Sequence, residues 1–407
     1  MTIEVILAVR GDGEAGLAVA LQGAPGIAVV RRCADLVEAA GAARAGIGSV
    51  VVLSEQPRLD RSVVSGMIKA GVGIVGVPSS PAAREKLLAL GIPVVVEVGA
   101  PPSDVVGAVA EARSSGAVAV QEDPDSVRGR PGYGALVAVW GPTGAPGRTT
   151  IAVNLAAEAG EILGSCILVD ADTYGGAVAP ALGLLDESAG LAALARAGLA
   201  GTLAAEVIRR QAVTVRPGLR VVNGIARAGR WQELSTAALE PVWSALREHA
   251  NLTVIDCGFG LEGGGDDPLA RGGGRDDATL SALRAADLIV AVGSAEPLGL
   301  QRLVQGLSDL REAVPGREKE TAVVVNRVRA SVAGSRPEVA VADALARYAA
   351  VEETWVVPDD PRACDAATLA GQVLAERAPR SAARRAIRSL AEHVCRVAAS
   401  QTAVASA

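Results

Sequence analysis

ALVAVW, residues Ala135–Trp140, leads directly into GPTGAPGRTT, residues 141–150, and on into IAVNLAAEAG, residues 151–160. An apolar strand thus enters a loop of glycine and proline and leaves as a helix, which is the context a phosphate-binding loop requires. Glycines let successive backbone N–H groups converge on phosphate oxygens, and the helix start adds the positive end of its dipole. Thr149 stands where such a loop places the hydroxyl that coordinates Mg2+, and Thr150 can reach a phosphate oxygen. The general pattern GxxxxGK[ST] asks for Gly at 142 and Lys at 148, whereas the chain has Pro142 and Arg148. Arginine keeps the charge but offers a wide planar fork in place of a compact ammonium, and it can grip phosphate through two hydrogen bonds. Lysine occurs only at Lys69, Lys86 and Lys319, so Arg148 reads as a replacement made in a lysine-poor chain.

The chain around this loop is long enough for two domains at 407 residues. Half of it is hydrophobic but only 2% is aromatic, so the cores must be built from Val, Leu, Ile and Ala. A net charge of −6 argues against a general nucleic-acid coat. Cys33, Cys166, Cys257, Cys364 and Cys395 are scattered without a CxxC pair and read as buried, reduced thiols. With His249 and His393 the only histidines, the sequence argues against a histidine-based metal site or triad. The opening MTIEVILAVRGDGE lacks the basic and long apolar regions of a signal peptide, and no run reaches the roughly 18–20 apolar residues of a membrane span.

Upstream of the loop, strand and helix patterns alternate, which predicts βα units on a parallel sheet. Strands are expected at 3–9, 27–30, 49–53, 72–77 and 94–98, with helices at 35–45, 61–70, 81–90 and 103–112. A charged, Pro- and Gly-rich stretch at 121–134 reads as linker. The second βα series runs from Ala135 to about Val397, interrupted at 260–277 by GLEGGGDDPLARGGGRDD, read as a mobile loop. Residues 297–312 carry helical spacing and read as core packing or an interface. Residues 381–397 put Ile387, Leu390, Ala391, Val394 and Val397 on one helical face with arginines opposite. That pattern fits a core-packed last helix better than a membrane-binding one, since it has no Trp or Phe.

Three further segments carry acids or amides at strand ends. CILVDAD at 166–172 ends in Asp170 and Asp172, LTVIDCG at 252–258 contains Asp256, and TAVVVNRV at 321–328 contains Asn326. WVVPDD at 355–360 follows. In this order, with the loop, they resemble the MinD/ParA-type ATPases, whose deviant loop reads KGGxGKTT. Laid on residues 143–150, Gly144, Gly147 and both threonines match, while Ala145 stands at the remaining glycine and Thr143 and Arg148 at the two lysines. The resemblance spans about 135–397. It implies Mg2+ with ATP or ADP as cofactor. Gly144, Ala145, Pro146, Gly147, Arg148, Thr149 and Thr150 would hold phosphates, and Asn326 the adenine. Thr149, Asp170 and Asp256 would serve the metal, Asp256 through water, and Asp172 would orient the attacking water. In that family the first lysine reaches across an ATP-bound dimer, and Thr143 cannot.

The five N-terminal βα units resemble a response-regulator receiver domain without its phosphorylation chemistry. The third strand ends Val51-Val52-Leu53-Ser54 with no Asp, and Gly99-Ala100-Pro101 follows the fifth with no Lys. Such a domain ahead of a degenerate MinD-like ATPase is similar to the CpaE/TadZ family of pilus and secretion assembly proteins. The expected layout is α/β, with two parallel-sheet domains: 1–115 receiver-like, 116–134 linker, 135–398 nucleotide-binding, 399–407 tail. The resemblance implies a positioning or assembly regulator with slow or absent hydrolysis. It implies protein partners, secretion or pilus ATPase components among them, and a homodimer. It further implies a cytoplasmic location with recruitment to a pole or to membrane-associated machinery. A catalytically inactive scaffold and a ParA-like DNA-partition ATPase are the rival readings; the acidic charge counts against the second.

Overall fold

A computed structural model describes residues 2–11, 13–118, 133–184, 188–263, 273–316 and 321–404. The expected linker at 116–134 lies mostly outside the described residues, as does the middle of the expected mobile loop at 260–277. The chain divides into two compact units, Met1–Ser126 with Ala197–Thr202, and Val127–Arg196 with Leu203–Ala407.

The first unit is built on β1 (Ile3–Ala8), β2 (Ile27–Arg32), β3 (Val50–Leu53), β4 (Gly73–Gly76) and β5 (Val94–Val95), in the order β2-β1-β3-β4-β5 with every pairing parallel. That is a doubly wound order, which requires helices on both faces of the sheet. Accordingly, Ile6, Val51 and Leu53 pack with Leu36, Val64 and Leu87 on one face. Val5, Val50 and Val52 pack with Leu17, Leu21 and Val109 on the other. The helices start where the sequence offers caps: Asp35, Asp60 and Ser80 each accept a backbone N–H from three residues on. Two features differ from expectation. Strand β5 is only two residues long, and the helix Glu14–Gly23, for which no bounds were expected, carries Leu17 and Leu21 into the core. The last helix of this unit, Pro102–Val118, also runs past residue 115.

The second unit holds eight strands: β6 (Ala135–Trp140), β7 (Cys166–Ala171), β8 (Val213–Arg216), β9 (Leu219–Val222), β10 (Leu252–Cys257), β11 (Leu288–Ser294), β12 (Thr321–Val328) and β13 (Thr354–Pro358). Their order is β13-β12-β11-β6-β10-β7-β9-β8. All neighbours are parallel except β8 and β9, which form an antiparallel edge hairpin about Pro217-Gly218. The two-residue turn leaves no room for a crossover helix, so this edge departs from the all-parallel expectation. Strands β6, β7, β10 and β11 are buried throughout, as the inner strands of a sheet covered on both faces must be.

The last helix, Ala382–Val404, runs well into the stretch expected as a tail. Its apolar residues Ile387, Leu390, Ala391 and Val394 share one core with Ile151, Ala152 and Leu155 of the helix Arg148–Leu163. The arginines beside that face are engaged too. Arg384 donates from Nε and Nη2 to the two carboxylate oxygens of Glu158 at 2.6 and 3.1 Å, and Arg388 adds a 2.8 Å bond. Glu158 is 1% exposed, and a buried carboxylate is tolerated only when paired in this way. Among the described residues, no helix is long and apolar enough to cross a membrane.

Candidate functional site

Strand β6 lies between β10 and β11, so its C-terminal end opens at the middle of the sheet. Register then decides which acids meet. Asp256 on β10 pairs in register with Val139 of β6 on one side and Asp170 of β7 on the other. The loop of residues 141–147 leaves β6 directly above them, and the helix Arg148–Leu163 begins with Gly147 at its N-cap.

Two interactions hold the loop in shape. Gly147 has φ +88°, a conformation glycine adopts freely, and a Cβ there would collide with Asn326 Nδ2. That same Nδ2 donates to the Pro146 carbonyl at 3.0 Å, so Asn326 at the end of β12 braces the loop from the side. Asn154, one turn into the helix, donates to Thr150 O and accepts from Leu374 N at 2.8 and 2.7 Å.

The side chains beneath the loop form a connected acidic group. Thr149 Oγ1 donates to Asp256 Oδ2 at 2.7 Å. Asp256 Oδ1 is buried with no hydrogen-bond partner. Burial, then the nearby Asp170, push the Asp256 carboxyl up to about 8, against the pull of the Thr149 hydrogen bond and Arg148. Asp170 accepts the backbone N–H groups of Asp172 and Val178 at 3.1 and 3.2 Å, bracing the turn after β7. Asp172 Oδ1 accepts from Tyr174 N at 2.8 Å, and its Oδ2 receives Arg148 Nη2 at 3.4 Å. Arg148 also donates from Nη1 to the Gly141 carbonyl at 2.9 Å. The structure therefore brings together Arg148, Thr149, Asp170, Asp172 and Asp256. It places Asn326 on the flank, touching the loop through its amide.

The segments that follow β7 and β10 are joined to each other. Tyr174 packs on Phe259 with ring centroids 4.4 Å apart, and the Arg275 guanidinium sits 3.9 Å from the Tyr174 ring centre. Tyr174 donates its hydroxyl to Asp276 Oδ1 at 2.8 Å. Burial, then this hydrogen bond, push the phenol up to about 12. Nothing in the sequence marked this cluster, because its members lie about 100 residues apart.

Beside the helix start is a cavity of about 370 Å³ lined by Gly147, Thr150, Ile151, Asn326, Val357 and Pro358, among others. Arg329 borders it, bridging Glu296 at 2.9 Å and Asp359 at 3.3 Å. The WVVPDD segment thus forms one wall, while the role of Arg329 was not legible in the sequence.

No family model matches the sequence, and no curated protein does. Solved structures do. A ParA-family ATPase from Chlorobium tepidum TLS aligns with a TM-score of 0.53 at 17% identity, over 64% of this chain and 99% of its own. The cell division ATPase MinD of Pyrococcus furiosus gives 0.51 at 22% identity, over 65% of this chain and all of its own. The phosphate-loop unit has the fold of the MinD/ParA-type ATPases. On that fold, this chain has Gly144, Gly147, Thr149 and Thr150 in the loop after β6 and Asp170 and Asp256 at the ends of β7 and β10, with Thr143 and Arg148 where the resemblance expects lysines.

Proposed function

We propose that the second unit binds ATP or ADP with Mg2+ at the loop of residues 141–150, and that its nucleotide state governs contacts with protein partners. The observation that carries this reading is the Thr149–Asp256 pair at the foot of the loop, with the second oxygen of Asp256 buried and unpartnered. A buried carboxylate without a partner is costly, and a cation or its water shell supplies what it lacks. The donor set suits Mg2+, which takes one or two protein oxygens, waters and substrate phosphates. Among the described residues, no group of three or more Cys, His, Asp or Glu would cage a metal without the nucleotide.

In this reading Thr149 holds the metal, with Asp256 acting through water and Asp170 close by. The N–H groups of the loop from Gly144 through Ala145, Pro146 (which lacks one) and Gly147 to Thr150 line the phosphate cradle, and Arg148 adds charge. Bound Mg2+ would neutralise the phosphate oxygens. The nucleoside would extend into the cavity between Asn326 and 357–361. Asp172 would orient the attacking water, and turnover is slow, because Arg148 engages that carboxylate and Thr143 offers no charge across a dimer. The names of the two similar structures, both ATPases, support the choice of nucleotide.

The strand order of the first unit supports a receiver-like domain, and the lack of an Asp at the end of β3, where Leu53-Ser54 stands, supports a module for protein contact. The two-domain layout supports a CpaE/TadZ-like role in positioning or assembling pilus or secretion machinery. A non-catalytic scaffold of the same fold is the second reading, favoured by the Arg148–Asp172 ion pair.

Thermal unfolding of the purified chain tests the first reading. Mg-ATP or Mg-ADP should stabilise it by ~2.7 kcal/mol at a hundredfold excess over Kd. No shift at millimolar nucleotide, in a folded protein, overturns nucleotide binding. Binding without turnover, unaltered by Asp172→Ala, favours the scaffold.

A further inference from the structure

The loop has a second cation that its own sequence does not supply. The helix Pro297–Ala313 follows β11, the neighbour of β6, and passes beside the phosphate loop. It is held there at close quarters. A Cβ on Gly299 would collide with Ser294 Oγ, and one on Gly306 would lie 2.9 Å from Pro142 Cβ. On the strand side, a Cβ on Gly293 would lie 2.5 Å from Leu303 Cδ2. Arg302 stands three residues after Gly299 and four before Gly306, a spacing that puts all three on neighbouring positions of one helical face. Its guanidinium ends on the loop: a Cβ on Gly144 would collide with Arg302 Nη1. Gly144 has φ +71° and no side chain, and that absence is what admits the guanidinium to the loop backbone.

Arg302 is exposed, and it makes no hydrogen bond or ion pair with another described residue. Arg148 is different, since its two terminal nitrogens already contact Gly141 O and Asp172. The uncommitted charge at the loop is therefore on Arg302. We propose that Arg302 binds the outermost phosphate of the nucleotide, supplying from the same chain the charge that Thr143 lacks. This inference rests on the nucleotide reading above. A guanidinium held at a backbone turn presents its fork to phosphate with little loss of freedom, which makes the contact selective for the ligand that extends far enough to meet it.

Calorimetric titration of the full chain with Mg-ATP and Mg-ADP, for the parent, Arg302→Ala and Arg302→Lys, tests it. Arg302→Ala should weaken ATP by about tenfold or more, roughly the worth of one charge-assisted hydrogen bond, and ADP by less than about threefold. Arg302→Lys should recover part of the ATP affinity. The unfolding temperature without nucleotide should not change, because the side chain is exposed. Parent affinities for both nucleotides in Arg302→Ala overturn the role of Arg302 and leave the nucleotide reading standing. Equal losses for ATP and ADP also overturn it, since the contact would then not be with the outermost phosphate. A parent chain that binds neither nucleotide overturns both.

Discussion

Each unit gathers side chains at the C-terminal ends of its parallel strands, where open α/β sheets place their ligands, and the two sets of strand ends differ in what they bury. At the end of β3, Ser54 Oγ accepts the backbone N–H of Arg10 at 2.9 Å, and Gln56 donates to the Ala8 carbonyl at 2.7 Å. Both buried side chains are satisfied by the backbone at the end of β1, and neither carries charge. At the end of β6 and β10, Asp170, Asp172 and Asp256 are all buried, and Asp256 keeps an oxygen with no partner. A shared architecture thus says where chemistry could sit. A cluster of buried carboxylates with one oxygen unpartnered is what marks the second unit's strand ends for the nucleotide test, because such a group is costly to leave unsatisfied.

The largest expected effect comes from removing the loop charge. Arg148→Ala should abolish the ~2.7 kcal/mol stabilisation expected at a hundredfold nucleotide excess, read as a lost shift in unfolding temperature. If Arg148→Ala binds ATP as tightly as the parent, Arg148 is no phosphate ligand and the scaffold reading takes precedence.

Next comes the loop brace. Gly147→Ala forces a Cβ into the left-handed region and against Asn326, so it should cost about 1–2 kcal/mol in urea unfolding and weaken nucleotide binding as well. An unchanged midpoint would mean that the Asn326–Pro146 contact does not hold the loop.

A smaller effect is expected at Tyr174. Its phenol titrates higher in the folded chain, about 12, than its ordinary value of 10. The sign follows: the contribution is fully present below pH 10 and is lost as pH rises through 12. Tyr174→Phe should therefore lower stability by about 1 kcal/mol or less at pH 8, and the difference should vanish at the alkaline end. A constant gap across that range would assign the loss to packing on Phe259 alone.

The smallest effect, none at all, is expected in the first unit. Acetyl phosphate or beryllofluoride should leave it unmodified by mass spectrometry, and stoichiometric labelling of any carboxylate in residues 1–115 would erase the contrast between the two sets of strand ends.

What the sequence made legible follows from the range of each interaction. The loop, Thr149 and the acids closing β7 and β10 were legible because strand, turn and helix signals are local, and one register then brings them together. Arg302 was not, since the spacing of residues 297–312 spoke only of a packed face, and the approach to Gly144 depends on the sheet order. Asn326 was expected at the adenine; its amide instead spends one hydrogen on Pro146, a bond between residues 180 apart that no local pattern announces. The β8–β9 hairpin went unseen because its strands are only four residues each, too short to show a period.

The docking of Ala382–Val404 against Arg148–Leu163 also sets a schedule for the nascent chain. The ribosome makes the phosphate loop more than 200 residues before Arg384, a gap near the 226 that separate it from Glu158. Until those last turns emerge, the helix behind the loop has an uncovered apolar face and Glu158 an unneutralised charge. A polypeptide arrested before residue 382 would carry every loop residue yet lack the helix that packs behind Arg148–Leu163 and the arginines that pair Glu158, so the loop and its backing are completed at widely separated times.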